Sequence, residues 1–382
     1  FSFNKELFPN PSEFINAMHN IGVRVGLNID PVEGVRKEED KYLSFANAFN
    51  VTDGSVIPFN VLDKTFMENF VKNVIDVLLD LNIDVFWLDY KKDMLGLSAL
   101  SYYFNKDIEK TKNNRPLVLT RSPLVAPHRV GILYSGETYV SWDTLKFLPF
   151  YNSMAANKGI TWWSHDVGGY KGGIEDPELY LRYVQFSCFN PIFRFSAERG
   201  VYYKREPWAW DIETYTIARE YALLRQKLIP YLYTEACNYS KLGKPLIQPI
   251  YYGNPEIYDE PDYRNEYYFG KELFIAPITK KSDTTMNRSI ERIYLPKGTW
   301  YDFKSGKKFI GDKRYVAFYK YDEYPVFAKA GSIVPMTVLD EDINDLSSPK
   351  KWKSIYFLEK AIHIIYMKMM ELLKCMKKVF IW

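Results

Sequence analysis

From about residue 12 to 240, apolar residues follow two alternating patterns, stretches with helical spacing and short, nearly unbroken clusters. Pro11-Ser12-Glu13 opens an amphipathic stretch to about His19, with Ser12 the expected N-cap. Val23 to Ile29 reads as a strand that stops at Asp30-Pro31, and Phe66 to Leu81 carries apolar residues at helical spacing. Val85 to Leu88 is a buried strand ending at Asp89, and Pro116 to Thr120 is another, ending at Arg121. Gly131 to Tyr134 is a shorter strand followed by Ser135-Gly136-Glu137. Gly159 to Trp163 runs into Ser164-His165-Asp166 and a glycine-rich turn. Strands alternating with helices predict a parallel sheet.

Asp30, Asp89, Arg121, Glu137 and Asp166 all lie just past the C-terminal end of a predicted strand. In a closed β/α barrel, catalytic groups gather at that end. An open doubly wound sheet also binds ligands there, but no glycine-rich phosphate loop follows the first strand. The barrel is therefore preferred. After Tyr233 the pattern changes to short alternating runs, such as Glu272–Ala276, Ile290–Leu295 and Tyr324–Ala328, with turns at Pro296-Lys-Gly298 and Lys304-Ser-Gly306. The expected organisation is a barrel domain over residues 1–265, an antiparallel β-sandwich over 266–340 and a tail over 341–382. Within the tail, Trp352 to Trp382 is rich in Lys, Met, Ile and Leu and reads as a helix without a clean amphipathic face.

At 382 residues and 47% hydrophobic content, a large core plus a smaller domain is expected, and a disordered chain is excluded. A formal charge of +3 gives no concentrated basic face, so nucleic acid is not an expected partner. No uncharged apolar run reaches membrane-spanning length. Cys188, Cys237 and Cys375 form neither a disulfide framework nor a zinc spacing, and the four histidines show no metal-ligand spacing. A reducing, cytoplasmic setting is expected. Aromatic residues make up 17% of the chain, and such rings serve both as core fillers and as platforms for sugars.

A lone Asp89 at a strand end is as often a cap or salt-bridge partner as a catalytic group, and Arg121 alone is more often structural. Tandem Trp162-Trp163 is core about as often as it is a binding wall. The shared position of these residues is what favours function.

Trp87-Leu-Asp89, Thr120-Arg-Ser122, Ser135-Gly-Glu137 with Ser141-Trp142, and Trp163-Ser-His-Asp-Val-Gly-Gly169 occur in the order found in glycoside hydrolase family 31. Glu178 to Phe186, Lys204-Arg-Glu-Pro-Trp208 and Leu228 to Tyr233 continue the series, so that roughly residues 1 to 350 resemble this family. The resemblance implies a (β/α)8 barrel enzyme that cleaves terminal α-linked glucose, or a related α-glycoside, from oligosaccharides with retention. Asp89 stands in the position of the nucleophile and Glu137 in that of the general acid/base. Arg121 and Asp166 would hold sugar hydroxyls, and Asp30, Trp87 and Trp163 would line the subsite. No metal or organic cofactor is implied.

Three departures stand out. Glu137 replaces the usual Asp, and its extra methylene shifts the carboxyl by about 1 Å, a displacement that can cost about a hundredfold in rate. Arg194 is followed by Phe195 and Ser196 where relatives often carry a histidine, and Lys91-Lys92 follow Asp89 and Tyr90. The lysines read either as solvated loop charges or as selectors of a charged aglycone. The competing reading is a catalytically impaired sugar-binding remnant. The resemblance also implies an N-terminal β-domain and two early barrel strands ahead of Phe1. A frameshift near Trp352 is expected, because codons for Tyr366 to Glu371 read two bases later give a Tyr-Glu-Asp-Asp-Gly motif of the family's distal domain.

Overall fold

The computed structural model describes residues 1–92, 94–112, 117–121, 127–129, 131–339 and 352–357. They fall into two compact units, one ending at Tyr134 and one starting at Ser135.

The first unit opens with α1 (Pro11–Asn20). Asn10, not Ser12, is its N-cap, with Oδ1 accepting the Glu13 N–H at 3.2 Å. Pro11 explains the correction: a residue without an N–H and with a fixed φ suits the first helical position, so the cap falls one residue before it. β1 (Gly26–Ile29) follows, then α2 (Tyr42–Ala48), α3 (Lys64–Phe70) and α4 (Asp76–Asp80). The helix expected over 66–81 starts earlier, because Asp63 caps it through the Phe66 N–H at 3.0 Å. Val71–Ile75 forms a π turn between α3 and α4, and the face of Phe66, Met67, Phe70, Ile75 and Leu79 stays buried through it.

β2 (Val85–Leu88), α5 (Met94–Lys112), β3 (Val118–Arg121) and β4 (Ile132–Tyr134) complete the first unit. Each strand pairs in parallel with the one before it, giving the order β1-β2-β3-β4. Strands added always on the same side are the winding of a barrel, whereas a doubly wound sheet reverses at a switch point. This run shows no reversal.

The second unit begins with β5 (Tyr139–Val140) and α6 (Trp142–Asn157), the latter capped by Ser141, whose hydroxyl accepts the Thr144 N–H at 3.1 Å. β6 (Trp163–Ser164), β7 (Lys171–Gly173), α7 (Pro177–Cys188), α8 (Ile212–Lys227) and α9 (Ile229–Leu242) follow. Sequential parallel pairing recurs here. The Ser135 N–H donates to Ser164 O at 3.0 Å, and Ser164 bridges Ile192 in parallel.

Beyond α9 the strands are antiparallel: β8 (Ile247–Pro249), β9 (Tyr267–Phe269), β10 (Leu273–Ile275), β11 (Ser289–Leu295), β12 (Thr299–Asp302), β13 (Lys308–Ile310), β14 (Lys313–Tyr319), β15 (Val326–Lys329), β16 (Ile333–Thr337) and β17 (Trp352–Tyr356). One sheet has the order β13-β12-β15-β10-β9-β8, so its first strand precedes residue 266. β11 and β14 pair as a second layer, and Phe274, Trp300 and Phe327 of the sheet pack with Ile293 and Leu295 of that layer. This is a sandwich with one shared core. α7 is locked to it by Arg182, fully buried, which donates to Ser289 Oγ at 2.8 Å, Glu323 O at 3.0 Å and Lys320 O at 3.2 Å.

Trp352–Tyr356, expected to open a helix, is instead a strand on β16, running from Ile333↔Tyr356 to Thr337↔Trp352. The backbone edge of β16 offers hydrogen bonds that outweigh the weak helical pattern of this segment. Residues 358–382 of the expected helix lie outside the described residues.

Candidate active site

The predicted site residues form two clusters, one in each unit, and each is described by itself. In the first, Asp89 directly follows β2, with its N–H on Ile29 O of β1 at 3.0 Å. Thr120 of β3 donates its hydroxyl to Leu88 O at 3.0 Å, which ties down the strand end that carries the carboxylate. Two cations flank that carboxylate: Lys91 Nζ lies 3.4 Å from Oδ2 and Arg121 Nε lies 3.9 Å from Oδ1. Oδ1 is buried and has no hydrogen-bond partner among the described residues.

Arg121 is oriented by Tyr134 at the end of β4, donating from Nε to its hydroxyl at 3.1 Å and lying over its ring. Burial pushes the Tyr134 phenol above its ordinary value, partly offset by Arg121. The Tyr134 ring meets Trp87 edge-on at 5.4 Å. The structure thus brings Trp87, Asp89 and Arg121 together, joined by Tyr134, which sequence reasoning had marked only as the end of a strand. Asp30 stands at the end of neighbouring β1, but its side chain is exposed and accepts the Val32 N–H at 3.2 Å, a local turn. Ser122 lies outside the described residues.

The second cluster contains Glu137, Trp163 and Asp166. Asp166 is 1% exposed, and the Arg194 guanidinium donates to its Oδ1. Burial raises the carboxyl above its ordinary value, while Arg194 draws it back and Glu137 adds to the rise. Arg194 is itself held by Ser164, its Nε donating to the hydroxyl at 3.0 Å. Sequence reasoning noted only the missing histidine beside Arg194 and passed over the arginine, although a cation between two phenylalanines is the signal that could have found it. Trp163 is buried, edge-on to Tyr151 at 5.1 Å and to His165 at 6.0 Å. Its indole N–H and Asp166 Oδ2 are both buried without a hydrogen-bond partner among the described residues.

His165 is buried, and desolvation, helped by Arg194, lowers its pKa to about 3. The neutral ring bridges Asn152 Oδ1 at 2.7 Å and the Ser135 hydroxyl at 3.0 Å. Ser135 anchors the chain two residues before Glu137, and Gly136 between them takes φ +87°. Glu137 Oε2 accepts from Lys171 Nζ at 3.0 Å. Among the described residues no cluster of His, Cys, Asp and Glu could hold a metal ion. No described helix is long and apolar enough to cross a membrane.

A parallel strand winding with polar residues at strand ends, followed by a β-sandwich, defines a β/α-barrel domain with an appended β-domain. A family model described as the glycosyl hydrolases family 31 TIM-barrel domain matches residues 1–235, and one for the family 31 C-terminal domain matches residues 243–334. The chain belongs to glycosyl hydrolase family 31, as a TIM-barrel domain followed by the C-terminal β-sandwich domain. Among its relatives, an alpha-xylosidase of Saccharolobus solfataricus is 26% identical over 90% of this chain and 50% of its own length. Alpha-glucosidase 2 of Bacillus thermoamyloliquefaciens is 24% identical over 96% of this chain and 51% of its own. A family 31 dextranase of Flavobacterium johnsoniae, solved with glucose, aligns with a TM-score of 0.79 at 21% identity, over 92% of this chain and 48% of that one. The chain spans about half the length of these proteins.

Proposed function

We propose that this protein is a retaining α-glycosidase that releases terminal glucose from α-linked oligosaccharides, with Asp89 as nucleophile and Glu137 as general acid/base. Asp89 attacks the anomeric carbon, the glycosidic C–O bond breaks, and its electron pair goes to the leaving oxygen, which takes the proton of Glu137. Water, giving its proton to Glu137, then attacks the same carbon, displaces Asp89 and restores both groups. Arg121 and Asp166 hold sugar hydroxyls, Trp87 and Trp163 wall the subsite, and Asp30 borders it. No metal or organic cofactor takes part.

One observation carries this reading. Among the described residues, the buried polar atoms without a hydrogen-bond partner include Asp89 Oδ1, Asp166 Oδ2 and Trp163 Nε1, which belong to residues that the family motifs assign to the sugar, besides others elsewhere such as Ser101 Oγ and Tyr324 Oη. Such atoms are costly unless a ligand satisfies them, and a sugar both donates and accepts hydrogen bonds. Relatives named as alpha-glucosidases support an α-glucoside substrate. A cytoplasmic setting fits the buried free thiol of Cys188. The test is hydrolysis of p-nitrophenyl α-glucoside and maltose, with the anomer first released read by NMR. The expected product is α-glucose, and β-glucose as first product excludes the double displacement. A protein that binds glucose but hydrolyses neither substrate is the sugar-binding remnant instead.

A further inference from the structure

Resting on that reading of Glu137, we infer that Lys171 is a positioning residue whose cation holds Glu137 in place and makes it a stronger acid. The pair is built into the backbone as well as joined through side chains. Lys171 begins β7, which pairs in parallel with β5 in the register Tyr139↔Lys171. Its N–H and that of Tyr170 both donate to Thr138 O, at 3.1 and 2.8 Å, directly after Glu137 in the chain. The next two residues, Gly172 and Gly173, have positive φ, and a Cβ on Gly173 would sit 1.9 Å from Val140 O. β7 therefore lies closer to β5 than any strand with side chains at those positions. From there the Lys171 side chain turns back to Glu137 Oε2 at 3.0 Å, so one residue grips the Glu137 segment by both backbone and charge.

Glu137 works in two states, protonated when it gives its proton and ionised once it has done so. A cation in contact favours the ionised state, and proton donation to a poor leaving group becomes easier. Among the described residues, the charged or titratable groups facing the pair include Asp166, on the loop after β6 and bonded to Arg194, with Glu198 and Tyr139 near Lys171. Asp166 and Glu198 are acidic and oppose proton loss from Glu137, whereas the Lys171 cation in contact with it favours that loss. Both members of the pair are partly exposed, 38% for Lys171 and 27% for Glu137, so screening reduces the effect.

The experiment is the pH dependence of kcat/KM on maltose and on p-nitrophenyl α-glucoside. Lys171→Met and Lys171→Gln are expected to move the alkaline limb on maltose up by about 0.5–1 pH unit, with Lys171→Arg restoring it. Maltose turnover should fall about 3- to 10-fold more than that of the aryl substrate, whose leaving group needs little proton. If neither neutral variant folds, the native enzyme still decides: going from about 0.05 to 1 M salt should move its own limb upward. An unmoved limb in the folded variants, or in high salt, overturns the role of Lys171. Glu137→Gln separates the two levels: full activity there overturns the acid/base reading itself, whereas an inactive Glu137→Gln beside an unshifted Lys171→Met overturns only the present inference.

Discussion

The clusters around Asp89 and Asp166 both present a carboxylate and an arginine past a parallel strand, yet they are held very differently. Asp89 is flanked at 3.4 and 3.9 Å, and its buried Oδ1 accepts no hydrogen bond from the described residues. Asp166 is fully buried, clasped by Arg194, beside the bridge from Asn152 through His165 to Ser135. A nucleophile needs an open lone pair and a cation near enough to keep it ionised, without a strong hydrogen bond that has to break on attack. A group that holds a hydroxyl needs rigidity. The looseness of one cluster and the tightness of the other fit the two tasks proposed for them.

Removing the loosely held carboxylate should have the largest effect on catalysis. Asp89→Asn is expected to lower kcat by about 10⁴-fold or more while the circular dichroism spectrum is unchanged. Comparable activity in the mutant would mean that the open oxygen has no chemical role. Glu137→Gln should cost about 10²–10⁴-fold on maltose and clearly less on p-nitrophenyl α-glucoside, as competing steady-state assays can show. In the tight cluster the main loss should be stability. Arg194→Met strands a buried carboxylate, with an expected cost of about 3–5 kcal/mol in urea unfolding. An equal loss on Arg121→Met would erase the contrast between the clusters.

The smallest expected effect depends on pH. His165 has its folded pKa depressed to about 3, against an ordinary 6.5, so its contribution to stability is complete above 6.5 and is lost as pH falls towards 3. Melting temperatures measured across that window should decline less steeply in His165→Gln than in the native protein. Glu235 is opposite in sign. Burial lifts its pKa to about 7 from 4.5, so it favours folding below 4.5 and loses that contribution as pH rises to 7. Glu235→Gln should therefore raise the melting temperature by about 2–4 °C at pH 8 and by almost nothing at pH 4.

The strand winding was legible because short apolar runs such as Val85–Leu88 end abruptly in a charge, and Asp89, Arg121 and Asp166 were found by that rule. Arg194 follows no comparable run, and its value lies in a contact with Asp166, 28 residues earlier. Lys171 was less legible still, since its pairing with Glu137 depends on the β5–β7 register, which glycine packing sets rather than hydrophobic alternation. The cap at Asn10 could have been read from Pro11 alone. At Trp352 the deciding factor was the available edge of β16, which no local pattern encodes.

Arg182 makes the sandwich inseparable from the helix it sits on. Its guanidinium is sealed from solvent and spends three of its donors on atoms that belong to the sandwich. Cutting the chain between α9 and β8 would strip that cation of these three acceptors and leave it only Gln185 and Glu178 of its own helix, so neither piece is a sound starting point for trimming the chain. Any shortened version has to keep residues 289 to 323 or replace the arginine with a side chain that can live without them.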